Sequence, residues 1–412
     1  MKTIFFQIIT GFVLLASSCN TIEKQTTPDL ANARQLDSFP ASGVYLAKDP
    51  HGNTLASWVR SINDSTSVFC VAISDDDGAS FGEPIVVPGS DNIHPHAENL
   101  PKVIRKPSGE IIALWGAANP SPRNKYAGAV FYAQSFDNGK SWSSPKPLVK
   151  DTAGNDQRYY DVALMPDGEA GIIWLDNRRA DDRQVGSSLY FARTSGNNGF
   201  TGERAISREC CQCCRTKLLV EPDGNIHVLY RGIINDSIRD MVHAVSNNGG
   251  QTFSAPRRIS SDNWVINACP HTGPAMASNA KGLHFAWYTG GPGKGCYYTS
   301  SNDNGKTYGR RDSVSSSGSH PQMAALTGGD IIITWDEPIV AGNNIHKRIG
   351  VEKRSAGYTG NKKYFLTGDT STCVYPVIVP LKDNNALVAY TQETKEGKKL
   401  YYRKVNFKSI GQ

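Results

Sequence analysis

One short pattern of apolar and polar positions recurs seven times along the chain. In each copy a turn residue, usually glycine, precedes a run of small and β-branched apolar residues that ends in a large aromatic residue. The seven aromatic residues are Trp58, Trp115, Trp174, Tyr230, Trp287, Trp335 and Tyr390. Successive copies lie 57, 59, 56, 57, 48 and 55 residues apart. A nearly constant period of this length indicates a repeat architecture.

Further apolar segments surround each of these runs. YYDVALM precedes the run that ends at Trp174, SLYFART follows it, and weaker fourth segments such as EPIVVPG close other units. Four short strands joined by turns rich in Gly, Asn and Asp are typical of a propeller blade. No segment of useful length has a helical period. The sequence therefore predicts an all-β propeller of seven blades, or of six if one unit is split or displaced.

A second motif follows the third strand of several units. Its copies are SDDDGASF at 74–81, SFDNGKSW at 135–142, SNNGGQTF at 246–253 and SNDNGKTY at 301–308. The third residue can accept hydrogen bonds from local backbone N–H groups, and the glycine can take a positive φ. We interpret the motif as a structural lock rather than as a ligand site.

This second motif resembles the Asp box of the sialidase-like, or bacterial neuraminidase repeat, β-propellers. The resemblance covers nearly the whole chain after the N-terminal leader and implies the same fold. Sialidases of this type have six blades, so the seven repeats counted here depart from their pattern.

The N-terminal segment has the features of an export signal. Lys2 precedes an apolar run from Ile4 to Ala16, which is too short to span a membrane, and two serines follow before Cys19. The end of this segment resembles the lipobox of bacterial lipoproteins. We expect a signal peptide at 1–19 with a lipidated Cys19, a polar tether at 20–40 and one propeller domain at 41–412. The protein would then be a monomer attached to the bacterial cell envelope, with the membrane contacted through the lipid only.

Composition excludes several classes of partner. The formal net charge is +6 and no run of Lys or Arg stands out, so nucleic acid is not expected. The chain contains no nucleotide-binding or standard protease motif.

Polar residues are predicted to converge at one mouth of the central channel. In a blade, the start of the first strand and the loop between the second and third strands share a face, whereas the Asp boxes lie on the other. The first-strand starts bring His94, His96, Glu98, Arg158, Tyr159, Tyr160, Asp161, Cys210 to Arg215, Cys269, His271, His320, Cys373 and Tyr375 to this face. The second-to-third-strand loops add, among others, Arg178, Arg179, Arg231, Arg239 and Asp336. Such convergence makes the mouth the default site.

The family resemblance implies exo-α-sialidase-type glycoside hydrolysis at this mouth. Such enzymes use three arginines for the sugar carboxylate, an aspartate as acid/base and a tyrosine paired with a glutamate as nucleophile. The catalytic candidates are Asp161, Glu98 and Tyr160, and the substrate-binding candidates are Arg231, Arg239, Arg178 and Arg179. The pattern departs from the family at SGVYLAKD and at SGSHPQ, where His320 stands in place of the expected tyrosine. Another glycan hydrolase or lyase, or a non-catalytic glycan-binding propeller, therefore stays open.

Four cysteines are crowded into the segment RECCQCCRTK. Cys210, Cys211, Cys213 and Cys214 begin the fourth unit, while Cys269 and His271 begin the fifth. Neighbouring side chains on a strand point to opposite faces, so all four thiols can converge only if the backbone leaves strand geometry. Disulfides toward Cys269 are one alternative, a copper(I) or zinc(II) site formed by these six residues is a second, and free thiols are a third.

Overall fold

The computed structural model describes residues 29–30, 32–122, 124–151, 153–178, 185–355 and 362–407. Their strands form seven antiparallel sheets, six of four strands and one of five, which are the blades of a seven-bladed β-propeller. The first strand of each blade contacts the first strands of its two neighbours, and the last of these contacts closes the ring between blades 7 and 1. The predicted all-β fold with seven blades, rather than six, is confirmed.

The strands follow one another from the channel to the rim in each blade. Blade 1 contains β3 (Ala41–Lys48), β4 (Thr54–Ser61), β5 (Ser67–Ser74) and β6 (Ile85–Val86). Blade 2 contains β7 (Lys102–Arg105), β8 (Ile111–Ala118), β9 (Gly128–Ser135) and β10 (Lys146–Pro147), and blade 3 contains β11 (Gln157–Leu164), β12 (Ala170–Asp176), β13 (Ser187–Thr194) and β14 (Phe200–Cys210). Blade 4 contains β15 (Lys217–Val220), β16 (Ile226–Arg231), β17 (Met241–Ser246) and β18 (Arg257–Arg258).

The last three blades repeat this order. Blade 5 contains β19 (Ala275–Asn279), β20 (Gly282–Thr289), β21 (Gly295–Ser301) and β22 (Asp312–Ser315), and blade 6 contains β23 (Ser319–Ala325), β24 (Ile331–Ala341), β25 (Asn344–Arg354) and β26 (Lys362–Phe365). Blade 7 contains β27 (Thr372–Pro380), β28 (Asn385–Thr394) and β29 (Gly397–Asn406), with a single 3₁₀ turn at Lys382–Asn384.

Blade 7 is completed by the N-terminal part of the described chain. Strands β1 (Asp29–Leu30) and β2 (Arg34–Gln35) both pair with β29, so the two ends of the ring are joined by hydrogen bonds. The following Asp37 is buried and accepts hydrogen bonds from Trp58 Nε1 and Arg60 Nε at 2.5 and 2.7 Å. The predicted tether at 20–40 therefore overlaps the domain, because its polar C-terminal half closes the ring.

The seven repeated aromatic residues all lie on second strands, as the period predicts. Each is at most 3% exposed. The indole N–H groups of Trp115, Trp174, Trp287 and Trp335 donate to side-chain oxygens at 2.6–3.0 Å, as that of Trp58 does to Asp37. This pairing removes the penalty of burying an indole N–H while the ring fills the space between blades.

The Asp boxes share one hydrogen-bond pattern. In the box at 135–142, Asp137 accepts from the backbone N–H and the hydroxyl of Ser141, while Ser135 Oγ accepts from Gly139 N. Asp76 and Asp303 repeat this pattern in their boxes. In the fourth box Asn248 accepts from the backbone N–H of Thr252 and donates its amide N–H to the Thr252 hydroxyl. These bonds close the turn on itself, which supports a structural role for the motif.

The predicted leader and the lipidation site Cys19 lie outside the described residues. Among the residues that are described, no helix is long and apolar enough to cross a bilayer.

Candidate functional site at the channel mouth

The first strands of four blades carry a bulge near the channel mouth. The pairing register skips two residues after Ser42, Arg158, Ser319 and Val374. The residue after each of these has a positive φ: Gly43, Tyr159, His320 and Tyr375. A bulge of this kind re-aims a side chain, and bulges are common beside active sites. Glycine adopts this conformation readily, whereas tyrosine and histidine do so at a cost.

Five imidazole and phenol rings surround the mouth, and we call them the channel ring. They are His96, Tyr159, His271, His320 and Tyr375. The centroid of His96 lies 5.6 Å from that of Tyr159 and 5.5 Å from that of His271. His320 and Tyr375 are 4.1 Å apart. Blades 3, 6 and 7 and the segments that lead into blades 2 and 5 therefore place aromatic rings in one zone.

Backbone strain is concentrated on this ring. Apart from Gly, Asn and Asp, the described residues with a positive φ are Tyr159, Glu209, His271, His320 and Tyr375. Four of these five belong to the channel ring. Strained backbone of this kind persists only where surrounding structure holds it, and it clusters at functional sites.

A buried ion pair lies beneath the ring. Arg215 Nη1 donates to Glu98 Oε1 at 2.6 Å, and Gly273 N donates to Glu98 Oε2 at 2.6 Å. A Cβ on Gly273 would lie 2.4 Å from the carbonyl oxygen of Arg215, so this close approach requires glycine. Arg215 also donates to the carbonyl oxygen of Pro321 at 3.0 Å. The pair thus links the entrances of blades 2, 4, 5 and 6, and the predicted catalytic candidate Glu98 is buried in it with both carboxylate oxygens engaged.

His320 is held by a second buried carboxylate. Its Nδ1 lies 2.7 Å from Asp336 Oδ2, and Lys347 Nζ lies 3.0 Å from Asp336 Oδ1. Burial opposes ionisation of Asp336, but the hydrogen bond to His320 and the charges of His320 and Lys347 outweigh it and bring its pKa to about 2. Asp336 Oδ2 also accepts the backbone N–H of Tyr375 at 3.0 Å. One carboxylate therefore orients both rings of the His320 and Tyr375 pair.

His96 and Tyr375 differ in pKa and both are neutral hydrogen-bond donors at neutral pH. Burial, helped by the charges of His271 and Arg158, lowers the pKa of His96 to about 4, so this imidazole is neutral at neutral pH. Its Nδ1 accepts the backbone N–H of Glu98 at 3.1 Å, which places the ring proton on Nε2. Burial and the charge of Glu98 raise the pKa of Tyr375 to about 12, so its phenol remains a donor.

Asp161 and Tyr160 are placed inside the wall rather than at the mouth. Asp161 is 1% exposed, and its two oxygens lie 2.7 Å from Lys102 Nζ and 3.1 Å from Lys217 Nζ. The Tyr160 hydroxyl lies 2.6 Å from the carbonyl oxygen of Leu100 and is buried between blades 2 and 3. Both side chains are satisfied by protein groups that hold neighbouring first strands together.

Arg231, the leading carboxylate-binding candidate, is also fully engaged. It is 2% exposed, its Nε lies 3.4 Å from Cys214 Sγ, and its guanidinium carbon lies 4.8 Å from the ring centroid of Trp264. Its terminal nitrogens donate to backbone oxygens of Arg239, Thr272 and Tyr288 at 2.9–3.1 Å. The side chain joins blades 4 and 5 and has no nitrogen left for a ligand.

The other arginine candidates do not converge. Arg178 pairs with Asp176 and, toward the outer edge of blade 3, with Glu203, both at 2.9 Å. Arg239 lines a cleft of about 290 Å³ beside the cysteines. Arg179 lies outside the described residues. Of the three described arginine candidates, Arg178 and Arg231 are engaged by protein acceptors, so the three do not form the carboxylate-binding set of the family pattern.

The cysteine segment leaves strand geometry after Cys210, the last residue of β14. The thiol sulfurs of Cys211, Cys213 and Cys214 lie within 4.8 Å of one another. Burial opposes ionisation of Cys214, but hydrogen bonds with the other two thiols and the charge of Arg231 hold its pKa well below the usual value. Cys210 is directed elsewhere, and its sulfur contacts the carbonyl oxygen of Arg208 at 3.8 Å.

The remaining members of the predicted cysteine and histidine set are divided. Cys269 is exposed and lines the same cleft as Cys211 and Cys213, while His271 belongs to the channel ring. All eight described cysteines are free, so the disulfide alternative has no counterpart in this part of the chain.

Two smaller clefts open at the ring. One, of about 60 Å³, is lined by Gly43, His96, Tyr375 and Glu393 among others. The second, of about 160 Å³, is lined by His94, His96, Tyr126 and Arg158 among others. His96 lines both clefts, so a ligand that fills either of them contacts the channel ring.

The sequence placed all five ring residues at the predicted mouth, but only His271 was among the selected site residues, as a metal ligand, and His96, Tyr159, His320 and Tyr375 were not selected. The available signal was the repeated appearance of His or Tyr near the start of a first strand, as in QRYYD, GSHPQ and TCVYP. That position is the bulge.

Comparisons with known proteins agree with this architecture. Residues 52–271, just over half of the chain, match the model of the BNR repeat-like domain. A search of curated protein sequences found no match. A protein of unknown function from Dyadobacter fermentans has a similar structure, with 14% identity, coverage of 91% of this chain and 99% of that one, and a TM-score of 0.51.

Two enzymes share the fold at similar distance. An α-L-arabinofuranosidase from Fusarium graminearum, solved with an iminosugar inhibitor, is 11% identical over 93% of this chain and 99% of its own, with a TM-score of 0.52. The Hadza microbial sialidase Hz136 is 12% identical over 84% of this chain and 74% of its own, with a TM-score of 0.50. At these identities the likeness concerns the fold. Given the domain match and the Asp boxes in register with the blades, the chain belongs to the sialidase-like family of BNR repeat propellers.

Proposed function

We propose that the protein binds a carbohydrate at the channel ring and turns it over by acid–base chemistry. The observation that carries this proposal is the set of four strained residues, Tyr159, His271, His320 and Tyr375, which a purely structural channel lining would not require. Aromatic and imidazole rings with polar edges suit sugars, which present both C–H faces and hydroxyl groups. Glycan-active neighbours with the same fold add support by analogy only.

The His320 and Tyr375 pair has the groups that proton transfer needs. Asp336 orients His320 as a carboxylate orients the imidazole of a general base, leaving Nε2 for a substrate. Tyr375, with a pKa of about 12, keeps its proton at neutral pH and can donate it to a leaving oxygen. Hydrolysis and elimination of a glycosidic bond both need such a base and acid on one sugar.

The sialidase-type version of this function has weaker support than the broader one. Sialidase-type binding depends on arginines that are free to bind the substrate carboxylate. The guanidinium group of Arg231 already donates hydrogen bonds to three backbone oxygens. Two cations line the cleft beside Tyr126 and could meet an acidic sugar there, namely Lys125 and Arg158, of which Arg158 pairs with Asp156 at 2.6 Å. We therefore propose a glycan-active site without restricting it to sialic acid.

Binding to a glycan array tests the proposal. Tyr375→Asn removes the ring but tolerates the positive φ, and it should weaken binding of the preferred glycan about tenfold or more, as expected for loss of one aromatic contact. Phe136→Ala, in the Asp box on the opposite face, removes an exposed ring and should bind like wild type. Equal affinity of both variants, or no glycan bound by wild type, would place the function elsewhere.

We also propose that the protein is an envelope lipoprotein, as the segment ending at Cys19 predicts. Wild-type protein made in a bacterial host should incorporate a labelled fatty acid and partition with membranes. Cys19→Ala should do neither, because the thiol is the acylation site. Labelling of the Cys19→Ala protein would contradict this assignment.

A further inference from the structure

We propose that Cys211, Cys213 and Cys214 form a binding site for one soft d¹⁰ cation, copper(I) or zinc(II), beside the channel ring. The proposal is independent of glycan turnover. It rests on the convergence of three thiols, on their burial, and on a cleft that gives an ion access.

The spacing of the sulfurs fits a shared ion. Cys211 Sγ and Cys213 Sγ are 3.7 Å apart, and all three sulfurs lie within 4.8 Å of one another. A tetrahedral centre with metal–sulfur bonds of about 2.3 Å separates its sulfurs by about 3.8 Å. A disulfide would need about 2.05 Å, so the thiols are arranged around a point rather than joined in a pair.

Local backbone geometry explains why three thiols converge and the fourth does not. Cys210 ends strand β14, whereas Cys211 to Cys214 form a turn before β15 begins at Lys217. Cys211 is held in place by a hydrogen bond from its N–H to the carbonyl oxygen of Arg231 at 2.8 Å. The turn wraps the chain around the sulfurs, which a continuous strand would direct to alternate faces.

The surroundings suit a thiolate-bound ion. The three thiols are at most 5% exposed, which shields them from water, and Arg231 Nε lies 3.4 Å from Cys214 Sγ. This fixed positive charge offsets the excess negative charge that three thiolates would leave around a mono- or divalent cation. Soft sulfur ligands select copper(I) or zinc(II) over harder ions.

The cleft of about 290 Å³ provides a route to the site and a possible fourth ligand. Cys211, Cys213 and the exposed Cys269 all line it. Three thiolates suffice for trigonal copper(I), whereas zinc(II) takes four ligands, so Cys269 or a water would complete a zinc site. Loss of zinc(II) binding but not of copper(I) binding in Cys269→Ser would identify Cys269 as the fourth zinc ligand, whereas unchanged zinc(II) binding would assign that position to water.

Metal titration of the reduced protein tests the proposal. Copper(I) is supplied against bicinchoninate, and zinc(II) against a chromophoric chelator. Wild type should bind one equivalent of at least one of them with thiolate-to-metal absorption in the ultraviolet. Cys213→Ser should lower the affinity more than about a hundredfold, since loss of an outer-shell partner alone can reach that size. Cys296→Ala, which removes a buried thiol in blade 5, should leave it unchanged.

A measurement on wild type alone guards against a variant that fails to fold. In native protein the bound ion should protect Cys211, Cys213 and Cys214 from alkylation more than the apo protein does, as read by mass spectrometry. Failure of reduced wild type to bind either ion against the chelators would overturn the proposal. So would binding that survives in folded Cys213→Ser, or alkylation of the three thiols that the ion does not alter.

Discussion

Asp161→Ala is expected to lower the free energy of unfolding by about 3–5 kcal/mol at pH 7, the range measured when one partner of a buried ion pair is removed. Lys102 is 2% exposed and its ammonium group lies 2.7 Å from Asp161 Oδ1. The substitution would leave this charge buried without its carboxylate. It would also free the backbone N–H of Leu218, which donates to Asp161 Oδ2 at 2.8 Å.

The same carboxylate should make stability depend on acidity. Burial alone would raise the pKa of Asp161, but the charges of Lys102 and Lys217 outweigh it and lower the pKa to about 2. Because the folded pKa lies below the unfolded value of about 3.9, the contribution is complete above roughly pH 5 and is lost as the pH falls through 2. Burial lowers the pKa of Lys102 to about 8 despite Asp161, so the pair is ionised at pH 7.

Urea unfolding of matched variants checks this expectation. The control variant Asp369→Ala removes a carboxylate that is 54% exposed, and its partner Arg348 still forms an ion pair with Glu337. This variant should change the free energy of unfolding by less than about 0.5 kcal/mol. If Asp161→Ala were as stable as Asp369→Ala and lost glycan turnover instead, Asp161 would be a site residue, as the sequence suggested, and not a structural one.

The blades could be predicted because their signals are local and repeated. Trp174 and its six counterparts end an apolar run of similar pattern in each unit, and each run depends only on its own few residues. Ring closure was harder to predict. Asp37 stands in a polar segment, and its role in accepting the Trp58 N–H arises only when the N-terminal strands join blade 7.

The site was less predictable because a sequence pattern indicates on which side of the propeller a residue lies, but not whether its side chain is free to bind a ligand. Arg231 was placed correctly near the mouth, yet its availability depended on carbonyl oxygens from blade 5 that no local pattern reveals. The positive φ of His320 and Tyr375 is likewise invisible in a sequence, since most residues of either type have a negative φ. The position of a titratable residue within the repeat predicts that it lies near the channel mouth, but tertiary contacts decide whether its side chain stays free.

Asp336→Asn is expected to lower kcat/KM for the turned-over glycan about 10²- to 10⁴-fold, the range for loss of a general acid–base arrangement. An amide at this position cannot hold His320 Nδ1 as a charged acceptor, although it can still accept the backbone N–H of Tyr375. Asp336 would thus act by positioning His320, which would contact the sugar in the proposed site.

Kinetics of single and double variants separate this positioning role from a structural one. If Asp336 acts through His320, the double variant Asp336→Asn/His320→Asn should be no slower than His320→Asn alone, because residues that act as a unit are not additive. Added imidazole should partly restore His320→Gly, whose glycine also relieves the positive φ, but should not restore Asp336→Asn. Asp369→Asn serves as the control with wild-type rates. Additive losses without imidazole rescue, or wild-type turnover in Asp336→Asn, would remove His320 and Asp336 from the chemistry.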